Sequence, residues 1–188
     1  MVELDDNLGG IEDQNFMGFI KRLNDGIGIK GLVANIKHYV PDDNGDFEKD
    51  GIRYRLEEDK TIENTLCDLG NSMAARRFFS AAETMLPTHM AVGSGDGSKT
   101  SASTTLTTEL GRVALDSLTC PAAGAANDNV VTAVATFGAG VGTGALVEAG
   151  LFTGTPAGTM ICFSQYGIVT KAAADIVIFT WTITFGTT

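Results

Sequence analysis

The chain has 188 residues, 44% of them apolar and 7% aromatic, so one domain with a real core is within its reach. Its net charge of −10 excludes the basic stripe that a general nucleic-acid binder needs, and no apolar run approaches the length of a membrane span. Cys67, Cys120 and Cys162 are odd in number and never spaced C-x-x-C, which indicates neither a disulfide framework nor a zinc site.

The start, MVELDDNLGG, is acidic where a secretory signal would be positive, so the sequence predicts no signal peptide. Residues 1–60 read as an extended N-terminal arm with short apolar clusters such as FMGFI at 16–20. A short helix is predicted over 15–24, ended by Asp25 and Gly26. Residues 30–40 and 52–56 are expected to pair as a hairpin around the acidic turn DDNGDFEKDG. That turn resembles an EF-hand loop at Asp42, Asn44 and Asp46. Phe47 and Arg53 stand where glycine and the bidentate glutamate belong. It reads as a solvated turn with no assigned metal, and weak calcium binding outside the EF-hand type stays open.

Residues 61–85 form the predicted linking helix, with Thr61 and Asn64 serving its start. Gly70 marks a possible break. Arg76 and Arg77 read as a salt-bridged face, and Phe78 and Phe79 as the apolar face that docks the helix on a sheet. Residues 86–92 open the β-rich part. Next comes VGSGDGSKT, residues 92–100, which looks like a phosphate-binding loop ending in Lys99. Its spacing fails, because Ser98 precedes the lysine and the glycines merely alternate. The Ser- and Thr-rich stretch that follows is no helix start either, so the segment reads as a loop.

Further strands are predicted at 110–118, 129–137, 146–152, 159–164, 168–171 and 175–185. The last is the clearest: Val177, Phe179, Trp181, Ile183 and Phe185 share one parity, and Thr180, Thr182 and Thr184 the other. Turn signals such as PAAGAANDN and GAGVGTG separate them. The fold class is therefore mainly β: an antiparallel sandwich or barrel-like domain over 86–188, with a helix and the N-terminal arm.

No catalytic or cofactor-binding residue is assigned. His38 and His89 lie in candidate strands, and no G-x-S-x-G nucleophile elbow is present. Glu109, Arg112 and Glu148 sit in or beside strands, as an ion pair or interface contact would. The most informative feature is charge asymmetry. Beyond residue 120 only Asp128, Glu148, Asp175 and Lys171 carry charge at neutral pH. A surface so poor in charge associates readily, which predicts that other chains cover it.

Several phrases are familiar as a set: THMAVGSGDG at 88–97, TTLTTELGR at 104–112, LVEAGLFTGTPAGTM at 146–160, IVTK at 168–171 and TWTITF at 180–185. Over residues 86–188 the chain resembles small structural proteins of tailed bacteriophages, of head-decoration or tail and fibre-attachment type. The resemblance implies a non-enzymatic virion component made in the host cytoplasm. Its implied partners are copies of itself, a trimer among the arrangements, and the major capsid protein or tail proteins. The alternative is a β-domain that binds a host-surface glycan. Neither direct nucleic-acid contact nor a membrane is expected.

Overall fold

The computed structural model describes residues 27–79, 86–155 and 158–187. The helix expected over 15–24 lies outside them. Among the described residues, eleven strands and one helix follow in chain order: β1 (Ile27–Pro41), β2 (Phe47–Lys49), β3 (Ile52–Glu63), β4 (Thr65–Leu66), α1 (Asp68–Phe79), β5 (His89–Gly93), β6 (Glu109–Ala114), β7 (Ser117–Thr119), β8 (Val130–Phe137), β9 (Gly144–Phe152), β10 (Met160–Lys171) and β11 (Ile176–Thr187). They form two antiparallel sheets. One has the order β2-β3-β1-β11-β8-β7 and the other β4-β10-β9-β5-β6. The protein is mainly β, with one sheet strongly curled into a half-barrel. No helix among the described residues is long and apolar enough to cross a membrane.

The alternation in β11 sets the core. Val177, Phe179 and Trp181 are fully buried, while Ile178 and Thr180 between them are half-buried on the opposite face. Trp181, the largest of the buried three, has small cross-strand neighbours, Ala34 of β1 and Ala133 of β8, and Phe179 lies between Ile36 and Ala135. Large beside small lets the layers interdigitate at native density. Met90, Val92, Leu146, Leu151 and Cys162 close the core from the opposite sheet.

The chain changes sheets four times, and the first two changes revise the expected elements. The predicted hairpin forms, but β3 runs on to Glu63 and pairs with β1 as far as Val33. Residues 61–63 are thus strand, and the helix expected from residue 61 begins only at Asp68 after the two residues of β4. Gly70 does not break α1. The backbone there approaches the Ile161 carbonyl so closely that a Cβ would collide with it. The single strand expected over 110–118 is two, β6 and β7, in different sheets. Leu115 N–H bonds Thr88 O on one side of the crossing, and Asp116 N–H bonds Val134 O on the other.

Two further differences concern continuity. The strands expected at 159–164 and 168–171 are one strand, β10, with a bulge in which Tyr166, Gly167 and Ile168 stand opposite Val147 alone. The compositional division into residues 1–60, 61–85 and 86–188 also differs from the sheet order. β1 is hydrogen-bonded between β3 and β11, so residues 27–63 belong to the same two-sheet body as the C-terminal strands. Charge content reports which side chains face water; it does not report which strands pair.

Candidate functional site

The nucleotide-like loop is fastened by a buried carboxylate. Glu148 lies on β9 opposite Gly93 of β5, and its side chain is wholly inaccessible. Glycine is needed at this point, since a Cβ on Gly93 would come 2.6 Å from Glu148 Oε1. Three backbone N–H groups donate to the carboxylate: Gly95 at 3.0 Å, Thr107 at 3.0 Å and Thr108 at 2.8 Å. Lys99 folds inward and places Nζ 3.1 Å from Glu148 Oε2. Its ammonium also donates to Thr105 O and Thr107 Oγ1, each at 2.9 Å. An ammonium has three protons, and all three are used. Lys99 therefore has no donor left for a phosphate, and the stretch is a loop pinned from beneath. Burial pushes the Glu148 pKa up, but the Thr108 and Thr107 N–H groups and Lys99 outweigh it and hold the carboxyl below its ordinary value.

A second buried cluster ties β1 to the β10–β11 turn. His38 Nε2 lies 2.9 Å from Asp175 Oδ2, which also accepts the Ala172 N–H at 2.8 Å. Beside it Lys171, 1% exposed, donates to Gly138 O at 2.9 Å. Burial lowers the Lys171 pKa, and Asp175 partly opposes that. Among the described residues no hydroxyl or thiol hydrogen-bonds His38, so the pair lacks the nucleophile a hydrolytic triad requires. His89 shares a 2.8 Å contact with the Thr88 hydroxyl at the surface.

Of the other residues singled out by sequence, those in the described part are engaged with protein partners. Arg112 forms a bidentate pair with Glu109 at 3.0 and 2.6 Å, donates to Gly154 O, and stacks 3.7 Å over the Phe152 ring. In the acidic turn Asp42 is already engaged: it accepts from Asn44 N at 2.9 Å and Arg55 Nε at 3.2 Å. Phe47, at the EF-hand glycine position, packs against Tyr39 with ring centroids 4.7 Å apart. Among the described residues no three His, Cys, Asp or Glu side chains come together as a metal cluster. Arg76, Arg77, Phe78 and Phe79 fall on α1, whose side chains beyond residue 74 lie outside the described part.

One apolar groove of about 390 Å³ opens between α1 and the ends of the sheets, lined by Leu66, Met73, Leu118, Ile161, Ile183 and Phe185. Among its described lining residues there is no carboxylate, amine or imidazole. Cys120 lies on its lining and is exposed, whereas Cys67 and Cys162 are buried. Burial, helped by Asp68, pushes the Cys67 thiol up to about 11, and burial raises Cys162 well above the ordinary range. Thiolate is the reactive form, so a disulfide-exchange reagent at pH 8 is expected to titrate one thiol in the native protein and three after denaturation. Two or more fast native thiols would contradict this packing.

Sequence reasoning missed both buried clusters because their members lie far apart in the chain. A signal was nevertheless present. A lone charge in an apolar stretch must either break the surface or find a partner inside. Of the four charged residues beyond position 120, Glu148, Lys171 and Asp175 are 0%, 1% and 6% exposed, and Asp128 alone is exposed. The C-terminal third is thus even poorer in surface charge than its composition implies.

Taken together, these side chains define a two-sheet antiparallel β-protein whose ionisable clusters are internal fastenings. Comparison with protein-family models, curated proteins and solved structures finds no match.

Proposed function

We propose that this chain is a non-enzymatic structural component of a bacteriophage virion, acting as a capsid decoration protein that stabilises the assembled particle. The observation that carries the reading is the surface of residues 121–188, where Asp128 is the one exposed ionisable side chain. A solvated surface normally carries charge on roughly a quarter to a third of its residues. A surface without it lowers the cost of desolvation and suits contact with other subunits. The phrases over 86–188 that resemble those of phage structural proteins give that contact a setting. The saturated Lys99 and the absence of carboxylate, amine and imidazole groups from the described groove lining favour a binding role over a catalytic one.

The test is co-sedimentation of the purified chain with assembled heads that lack it. Saturable binding at a fixed copy number per head is the expected result, with a raised disassembly temperature. Binding to tails and not to heads would replace decoration by a tail or fibre-attachment role. A chain that binds neither particle would overturn the virion reading.

A further inference from the structure

The first sheet has an outer face with an unusual make-up. On β8 and on β11 from Ile178 to Thr184 the outward positions alternate with core residues and carry only Thr, Val or Ile, and Ser117 and Thr119 of β7 continue the face. Thr132, Val134, Thr180 and Thr182 form its centre, with Thr182 directly opposite Thr132 and Thr180 opposite Val134. Val33 of β1, 38% exposed, extends it beyond Thr182. Charge returns at the rim, in Glu63 of β3 opposite Val33, in the Lys37–Asp59 pair on β1 and β3, and in Asp116, which accepts a hydrogen bond from Thr136.

We propose that this face is where a second copy of the chain packs, sheet against sheet; the inference rests on the structural role proposed above. Three physical points select a second copy as the occupant. A chain of net charge −10 repels its own kind wherever acids face acids. This face is a broad surface on which copies meet without opposing charges. The second point is hydrogen bonding. A threonine hydroxyl both donates and accepts, so a threonine face is complementary to itself, and a two-fold axis sets like against like. A face of carboxylates or amines has no such property. The third is area. β8 is eight residues long, or ~27 Å, and four strands from β7 to β1 span ~19 Å, which gives ~500 Å² in projection. That is within a factor of two of the ~800 Å² per partner of a standard interface, and stacked sheets at ~10 Å spacing would bury it fully.

The experiment is sedimentation analysis of the full chain and three variants, with circular dichroism to confirm folding. The wild-type protein is expected to be a dimer or an even multiple. Thr182→Lys places like charges across the axis and is expected to weaken dimerisation roughly a hundredfold. Thr132→Lys, its cross-strand neighbour, should do the same and serves if the first variant does not fold. Ile168→Lys adds the same charge at a residue 63% exposed on β10 of the other sheet, and should leave the dimer intact. A wild-type chain that stays monomeric at its solubility limit overturns the inference, as does a Thr182→Lys dimer of unchanged strength. Loss of head binding without loss of dimer would assign the face to a capsid partner instead. Head binding by the wild-type monomer would keep the virion role while removing the dimer face, so the two readings fail separately.

Discussion

Replacing Glu148 with alanine is expected to lower the unfolding free energy by about 3–5 kcal/mol, the usual loss when one partner of a buried ion pair is removed. The substitution would leave Lys99, 5% exposed, without its counter-charge, and would strip acceptors from Gly95, Thr107 and Thr108. Lys99→Met should cost less, about 1–2 kcal/mol, because the carboxylate keeps its three N–H donors. The pair also sets a pH dependence. The folded-state pKa of Glu148 is depressed below the unfolded value of about 4.3. Its contribution is therefore present above that pH and is lost as pH falls through the folded pKa. Urea unfolding at pH 7 and between pH 4 and 3 measures both effects, and Glu148→Gln should flatten the acid decline. Should Glu148→Ala unfold within about 1 kcal/mol of wild type, the carboxylate does not pin the loop.

The parts of this fold legible in the sequence are those that depend on neighbours along the chain. β8 and β11 are readable because β-branched and aromatic residues alternate without interruption, and a one-residue slip would turn Trp181 to water. The loop character of VGSGDGSKT was readable from turn chemistry alone. Its fastening was not, since Glu148 lies 53 residues from Gly95 and 40 from Thr108. Sheet changes were equally hidden. Apolar spacing runs through Leu110, Leu115 and Leu118 as though one strand continued, yet a crossing between sheets intervenes at Leu115 and Asp116. The strands read at 159–164 and 168–171 are one, because a bulge absorbs Gly167 within β10. The reading of residues 30–40 as part of an arm failed for a related reason. Outward Asn35 and Lys37 make β1 look peripheral, while the inward Ala34, Ile36 and His38 that seat it in the sheet are too few to stand out.

Replacing Trp181 with alanine should cost about 3–5 kcal/mol, measured by urea unfolding followed by circular dichroism, since the chain has no second tryptophan to report by fluorescence. The magnitude follows from the neighbours. Trp181 is fully buried on the strand at the middle of its sheet, and Ala34 and Ala133 flank it on the two adjoining strands. Alanine has no side chain to swing into a void, and hydrogen-bonded strands on both sides resist collapse, so the cavity persists. Trp181→Phe should be far milder, about 1–2 kcal/mol. The indole N–H meets no nitrogen or oxygen acceptor and faces the Cys162 sulfur, a weak acceptor at best. Phenylalanine gives up some volume but also removes a buried donor that is poorly satisfied, and the second change offsets part of the first. The comparison of the two variants is the sharper measurement. A Trp181→Phe loss as large as that of Trp181→Ala would mean that the N–H is well bonded, and that the core is held by a directional contact where the packing of large against small was taken to suffice.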